Sequence, residues 1–366
     1  MATSPAVGLA PGFGQGRFAD RVVAWQLQSG RHALPWQGTT DAYRVWLSEI
    51  MLQQTQVAAV LGYYQRFLDR FPTLSDLAVA PLDAVMPLWA GLGYYSRARN
   101  LWACAREVHQ RYGGQLPADP VLLEALPGIG RSTAGAIAAF AFGRPAPILD
   151  GNVRRVLCRA FAIEGDPASP PVLRQLWALA ESLLPTPAGI GPYTQGLMDL
   201  GATVCTRSRP RCSACPLASD CRARREDRVA ELPQARRRAV RPVRELRWLV
   251  LGHEQTLWLE RRPERGIWGG LWSFPELDLG ADIAQTLSAR GLVAQDRRDL
   301  TMIEHGFTHF VLRAYPVAIE VRAPVISSQG QWLTLAQLAD KALPKPVAHL
   351  LQGFSWPRAL PVSDGG

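Results

Sequence analysis

The sequence predicts a mainly α domain followed by a smaller α+β domain. Its 366 residues are too many for one compact core and enough for two ordinary domains. From Phe18 to about Cys205, apolar residues recur at helical spacing and nothing alternates for long. Beyond Arg228 the pattern changes to short alternating runs.

The elements follow in order. Val22, Val23, Trp25 and Leu27 open the first helix, and Tyr43 to Phe71 carries one or two more. Helices are expected over Leu82 to Trp89, Ala98 to Arg111, Val121 to Ala125, Ser132 to Phe142, Val153 to Ala162 and Val172 to Leu184. Clusters of Pro, Gly and Asp punctuate them. The stretch from Val229 to Pro242 has two prolines, an Arg-Arg-Arg run and no periodicity, as an inter-domain linker would. Leu246 to Leu251 and Thr256 to Arg261 should pair as strands around a polar turn. A helix near Ile283 to Ala289, strands over Phe310 to Tyr315 and Val317 to Val321, and a helix over Leu335 to Ala342 complete the set. The expected boundaries are a tail over 1–16, a helical domain over 17–228, a linker over 229–243 and the α+β domain over 244–357. There is no internal repeat.

Charge points to a polyanionic partner. The formal net charge is +9, and between Cys205 and Arg247 stand thirteen Arg and no Lys against five Asp or Glu. Arginine's planar fork grips phosphate, so nucleic acid ranks above an anionic membrane surface. No run of eighteen apolar residues is present, so no membrane span is expected. The first sixteen residues lack the basic start and apolar stretch of a secretory signal. A monomer in the cytoplasm, acting on nucleoid DNA, is the expectation.

Of six cysteines, Cys104 and Cys158 stand alone in apolar helical patterns and read as core thiols. Cys205, Cys212, Cys215 and Cys221 form a C-x6-C-x2-C-x5-C loop. Four thiolates so close suit zinc or an iron–sulfur cluster, and spacing alone leaves both open. Either would close a loop with little apolar core and hold Arg207, Arg209 and Arg211 in a fixed array.

Two further features carry chemistry. Leu126-Pro127-Gly128-Ile129-Gly130 joins two helices, and the N–H groups around Gly128 and Gly130 make a small anion nest suited to a DNA phosphate. Glu49 lies in the apolar run Trp46 to Leu52, where desolvation should raise its pKa. Asp150 stands at a helix N-cap position, where the helix terminus favours the ionised form. An acid and an anion are the pair that glycosidic cleavage needs, one protonating the leaving group and the other steadying a cationic sugar.

These residues resemble the helix-hairpin-helix DNA glycosylase superfamily, near endonuclease III. Leu34-Pro35-Trp36, Trp46 to Val57, Gly91 to Leu101 and Leu149-Asp150-Gly151-Asn152-Val153 are more closely similar to the MutY-type adenine DNA glycosylases. The likeness runs from about Phe18 to Arg222 and implies a [4Fe–4S] cluster on the four cysteines. It implies that Glu49 protonates adenine N7, that Asp150 stabilises an oxocarbenium-like sugar, and that Asn152 orients Asp150 or water. Trp36, Leu52, Gln195 and Met198 would line the adenine pocket, and Gln54 and Tyr94 would wedge into the duplex. At Ser132, bifunctional relatives have a lysine that attacks the sugar; a hydroxyl forms no Schiff base, so a monofunctional enzyme is expected.

The second domain resembles the Nudix-like domain of the same family through Gly269 to Pro275 and Phe307-Thr308-His309-Phe310. The likeness implies that Phe307, Thr308 and His309 touch 8-oxoguanine, with Thr308 where a serine is usual. Residues 280–292 hold one Asp and no Glu, too few carboxylates for a hydrolytic Mg²⁺ site. The implied substrate is double-stranded DNA with adenine opposite 8-oxoguanine or guanine. The alternatives are an iron–sulfur glycosylase for another base, and a non-catalytic iron–sulfur or zinc DNA-binding protein.

Overall fold

The computed structural model describes residues 17–234, 240–322 and 330–354. The expected tail over 1–16, the Arg-Arg-Arg run of the linker and the end of the second domain lie outside the described residues. The chain divides into two compact units. The first comprises Met1–Ala80 and Asn100–Arg238. The second comprises Pro81–Arg99 and Ala239–Gly366.

The first unit is helical. α1 (Arg17–Ser29) buries Phe18, Ala19 and Val22. The span from Tyr43 to Phe71 forms two helices, α2 (Ala42–Leu52) and α3 (Val57–Arg70), separated where Gln54 adopts a positive φ of 56°. Asp41 caps α2 by accepting from the N–H groups of Tyr43 and Arg44. α4 (Leu74–Val79) starts with a capping box between Thr73 and Asp76. The central helices are α6 (Ser96–Tyr112), α7 (Pro120–Glu124), α8 (Arg131–Phe142) and α9 (Gly151–Ala160), α5 (Leu82–Trp89) lying in the second unit. α10 (Pro170–Ser182) and α11 (Ile190–Asp199) follow. α11 runs straight into a π-helical turn, Leu200–Val204, and α12 (Arg222–Arg225) ends the series. One core joins α1, α8, α9, α10 and α11 through residues such as Phe18, Ile148, Val153, Leu157, Leu176, Tyr193 and Leu197. Residues 229–234, expected in the linker, dock on this unit: Leu232 is buried and its carbonyl accepts from Arg159 Nε at 2.8 Å.

The second unit carries an eight-stranded sheet among the described residues, with the main order β3-β2-β1-β7-β5. β1 (Val243–His253) and β7 (Val311–Val321) pair in parallel at its centre. β2 (Thr256–Arg261), β3 (Trp272–Ser273), β4 (Glu276–Leu277), β5 (Ala294–Asp299), β6 (Ile303–Gly306) and β8 (Gly330–Thr334) pair antiparallel around them. The helices are α13 (Ile283–Ala289), α14 (Leu335–Ala339) and α15 (Lys345–Gln352). The two expected strands flanking Pro316 are one strand. Pro316 is tolerated because its carbonyl, and therefore its missing N–H, faces the gap between β5 and β6, where it accepts from Leu300 N.

Candidate active site

Several segments of the first unit line a cavity of about 590 Å³. The loop before α2 contributes Trp36, α2 and its following turn contribute Glu49, Leu52 and Gln53, α8 contributes Ser132 and Thr133, and α11 contributes Gln195 and Met198. Asp150 enters from the start of α9. Seven residues singled out from sequence thus share one cavity: Trp36, Glu49, Leu52, Ser132, Asp150, Gln195 and Met198. Trp36 is also a core residue, packed edge-on against Tyr64 with ring centres 5.3 Å apart. Asn152 and Gln54 are not among the cavity-lining residues.

The two carboxylates differ in their surroundings. Burial, and then the charge of Asp150, push Glu49 up to about 8 from an ordinary 4.5. Its carboxyl makes no hydrogen bond within the described residues. Asp150 is also held above the usual aspartate range by burial, which outweighs the lowering expected from its N-cap position. The N–H groups of Val153 and Asn152 and the charges of Arg155 and Arg154 oppose that rise. Val153 N donates to its Oδ1 at 2.8 Å. These groups favour the anion at Asp150, and none of them faces Glu49. Environments that separate two carboxyls in this way create an acid and an anion.

Asp150 is held from two sides. Ser132 Oγ accepts from Leu149 N at 2.9 Å, tying the preceding residue to α8. Behind Asp150, Asn152 Nδ2 lies 3.5 Å from Oδ2, and Asn152 Oδ1 accepts from Arg155 at 2.9 Å. Arg155 also donates to the carbonyls of Gly201, in the π-helical turn, and Cys205, both at 2.7 Å. Gly201 is required there: a Cβ would lie 2.5 Å from that of Asn152.

The hairpin is the turn between α7 and α8. Gly128 has a positive φ of 76° and a Cβ on it would meet Asn100 at 2.7 Å, so no other residue fits. Gly130 caps α8 with open space on its Cβ side, leaving the helix N-terminus accessible to an anion. Gln54 and Tyr94 are both exposed and both left-handed, with φ of 56° and 50°. Non-glycine residues rarely accept that conformation, which here turns each side chain outward from a tight turn. The Tyr94 turn, in the second unit, is braced by Trp89 Nε1 and Arg97, which both donate to the Gly93 carbonyl.

Cys205, Cys212, Cys215 and Cys221 together line a hollow of about 20 Å³ in the first unit. Burial and then the neighbouring thiols raise Cys215 to about 12, so thiolates this close need a cationic partner. No three His, Cys, Asp or Glu side chains among the described residues converge as a single ion requires. Arg159, buried on α9, fastens the loop by donating to the carbonyls of Thr206 and Arg207 and to Cys205 Sγ at 3.4 Å. In the second unit, Phe307-Thr308-His309-Phe310 forms the loop of the β6–β7 hairpin. Phe307 stacks on Phe310 with ring centres 4.4 Å apart, leaving Thr308 and His309 exposed in the turn between them.

Sequence reasoning missed Arg31, Gln53, Arg155, Arg159 and Asp199. Gln53 Nε2 donates to Thr133 Oγ1 across the cavity at 3.3 Å. Asp199 had a signal that went unread: a lone carboxylate in an apolar helix, one turn after Gln195, as conspicuous as Glu49.

Residues 47–182 match the HhH-GPD superfamily of base excision DNA repair proteins and residues 247–353 match the NUDIX domain. The adenine DNA glycosylase of Buchnera aphidicola (subsp. Acyrthosiphon pisum) is 35% identical over 343 residues, 92% of this chain and 97% of that protein. The human adenine DNA glycosylase is 38% identical over 406 residues, 92% of this chain and 74% of that protein. A solved thermostable thymine-DNA glycosylase shares the fold at a TM-score of 0.52 and 29% identity, covering 57% of this chain and 95% of that one. The helical and Nudix-like domains expected from sequence are borne out. The molecule is an enzyme, a DNA glycosylase, and the chain belongs to the adenine DNA glycosylase family.

Proposed function

We propose that the enzyme removes adenine paired with 8-oxoguanine or guanine from double-stranded DNA and leaves the strand uncut. One observation carries the reading: two carboxyls in contrasting surroundings line one cavity, Glu49 buried with no donor and Asp150 accepting from the Val153 N–H beside Arg154 and Arg155. The flipped adenine enters that cavity between Trp36, Leu52 and Met198, at a cost of a few kcal/mol in unstacking. Glu49 gives its proton to N7. The C1′–N9 bond breaks, its electron pair leaving with the base, and Asp150 steadies the sugar cation. Water adds to C1′ and its proton returns to a carboxylate, leaving an abasic site. Asn152 holds Asp150 in position. Ser132 has no amine to form a Schiff base, so the chemistry stops there.

Gly128, Gly130 and the α8 N-terminus bind a phosphate, and Gln54 and Tyr94 enter the duplex where the base leaves. Phe307, Thr308 and His309 of the second domain read the opposite base. A [4Fe–4S] cluster fits the four cysteines, whose sulfurs share one hollow and whose charge needs neutralising. Bound there, it supplies a cross-link that closes the Arg207–Arg211 loop against DNA.

The test is single-turnover base release from a duplex with adenine opposite 8-oxoguanine. The reading expects free adenine and a strand that breaks only after alkali. No release, or release of another base alone, refutes it. Ser132→Lys should add strand cleavage.

A further inference from the structure

Asp199, at the end of α11, is completely buried. Its two oxygens are occupied from different elements. Arg31 donates from its backbone N to Oδ2 at 2.9 Å and from Nε to Oδ1 at 2.6 Å. Gln195, one helical turn earlier, donates Nε2 to Oδ1 at 2.9 Å. Paired with a guanidinium, Asp199 is a carboxylate and only accepts hydrogen bonds. The Gln195 amide therefore has one possible orientation. Its nitrogen gives one hydrogen to Asp199, and its oxygen is the one acceptor it offers to the cavity it lines. That oxygen has no hydrogen-bond partner among the described residues. Without the carboxylate, the two ends of the amide would be interchangeable.

We propose that Asp199 is a positioning residue that sets the hydrogen-bonding polarity of the base pocket, so that Gln195 accepts from a 6-amino purine and rejects a 6-oxo purine. A glutamine free to turn could serve either base. Held by Asp199, it meets the amino group of adenine with a lone pair and the carbonyl of hypoxanthine with repulsion. An unpaired polar group in a closed pocket is what gives such discrimination its size. The inference rests on the adenine reading above and sharpens it.

The test is single-turnover release of adenine and of hypoxanthine from otherwise identical duplexes, by the full-length wild type, Asp199→Asn, Gln195→Met and the double variant. Adenine release by the wild type checks the underlying reading; the adenine-to-hypoxanthine rate ratio checks the positioning. The ratio should fall by about tenfold or more in Asp199→Asn. It should fall similarly in Gln195→Met, and Asp199→Asn should lower it no further in that background. A uniform slowing of both bases by Asp199→Asn would mark a purely structural residue and overturn the proposal. Should that variant fail to fold, Gln195→Met decides: a lowered ratio upholds the proposal, and a ratio equal to the wild type's overturns it.

Discussion

Glu49 keeps its proton because nothing in its surroundings rewards ionisation: it has no hydrogen-bond donor within the described residues and a second carboxylate nearby. The same feature costs stability. Its folded pKa is about 8 against 4.5 unfolded, so the folded chain binds the extra proton between those values. Stability from this group is complete below the unfolded pKa and declines as pH rises toward the folded one. Glu49→Gln should therefore melt higher than the wild type at neutral pH while losing base release and keeping DNA binding. Every tenfold change in a group's acidity between folded and unfolded chain is worth about 1.4 kcal/mol, so the gain should be readily measurable by thermal or urea denaturation. A lower melting point would mean that Glu49 is not strained by burial. Arg159 is the opposite case, a buried cation each of whose guanidinium nitrogens finds an acceptor. Arg159→Met would leave carbonyls of the cysteine loop unpaired, at ~1–3 kcal/mol each. With the proposed cluster on that loop, iron per chain should drop with it, measured on protein purified without reduction.

At the scale of elements, the site depends on close backbone approaches. The π-helical turn after α11 presses on the first turn of α9 through Gly201, behind Asp150. Gly201→Ala must displace Asn152, so it should cost ~1–3 kcal/mol of stability. Because the shift reaches the carboxylate proposed to steady the sugar cation, the single-turnover rate should fall by about 100-fold, with DNA affinity retained. This scale also shows what the sequence made legible. Long periodic runs such as Tyr43–Phe71 declared their helices, and the apolar setting of Glu49 declared its burial and raised pKa. α11 went unread because Gly191, Pro192 and Gly196 interrupt its pattern, yet Gly196 is the residue that admits α1, with Val22 only 2.8 Å from where a Cβ would be. β5 is wholly exposed and reads Ala-Gln-Asp-Arg-Arg-Asp, so alternation had nothing to mark. Pro316 divided one strand into two because sequence does not reveal which side a missing N–H faces. Arg155 and Arg159 act through partners distant in sequence, which no local pattern encodes.

For the whole molecule, the net charge of +9 and the arginine-rich stretch from Cys205 to Arg247 make DNA affinity salt-dependent. Replacing Arg209 with Gln should weaken binding to every duplex alike and reduce the salt slope by about one phosphate contact. Thr308→Ala should act differently, lowering the preference for 8-oxoguanine over guanine opposite adenine while leaving release from the guanine mispair nearly unchanged. Equal effects on both duplexes would remove the Thr308 loop from opposite-base reading. The central claim is that a protonated Glu49 and an ionised Asp150 act together on one base. Its most direct test is the pH dependence of single-turnover adenine release at saturating enzyme. The account predicts a bell whose alkaline limb falls near pH 8 as Glu49 loses its proton, and whose acid limb lies above the ordinary aspartate range. A rate that stays constant through pH 8 and above, or an alkaline limb that persists in Glu49→Gln, would contradict it.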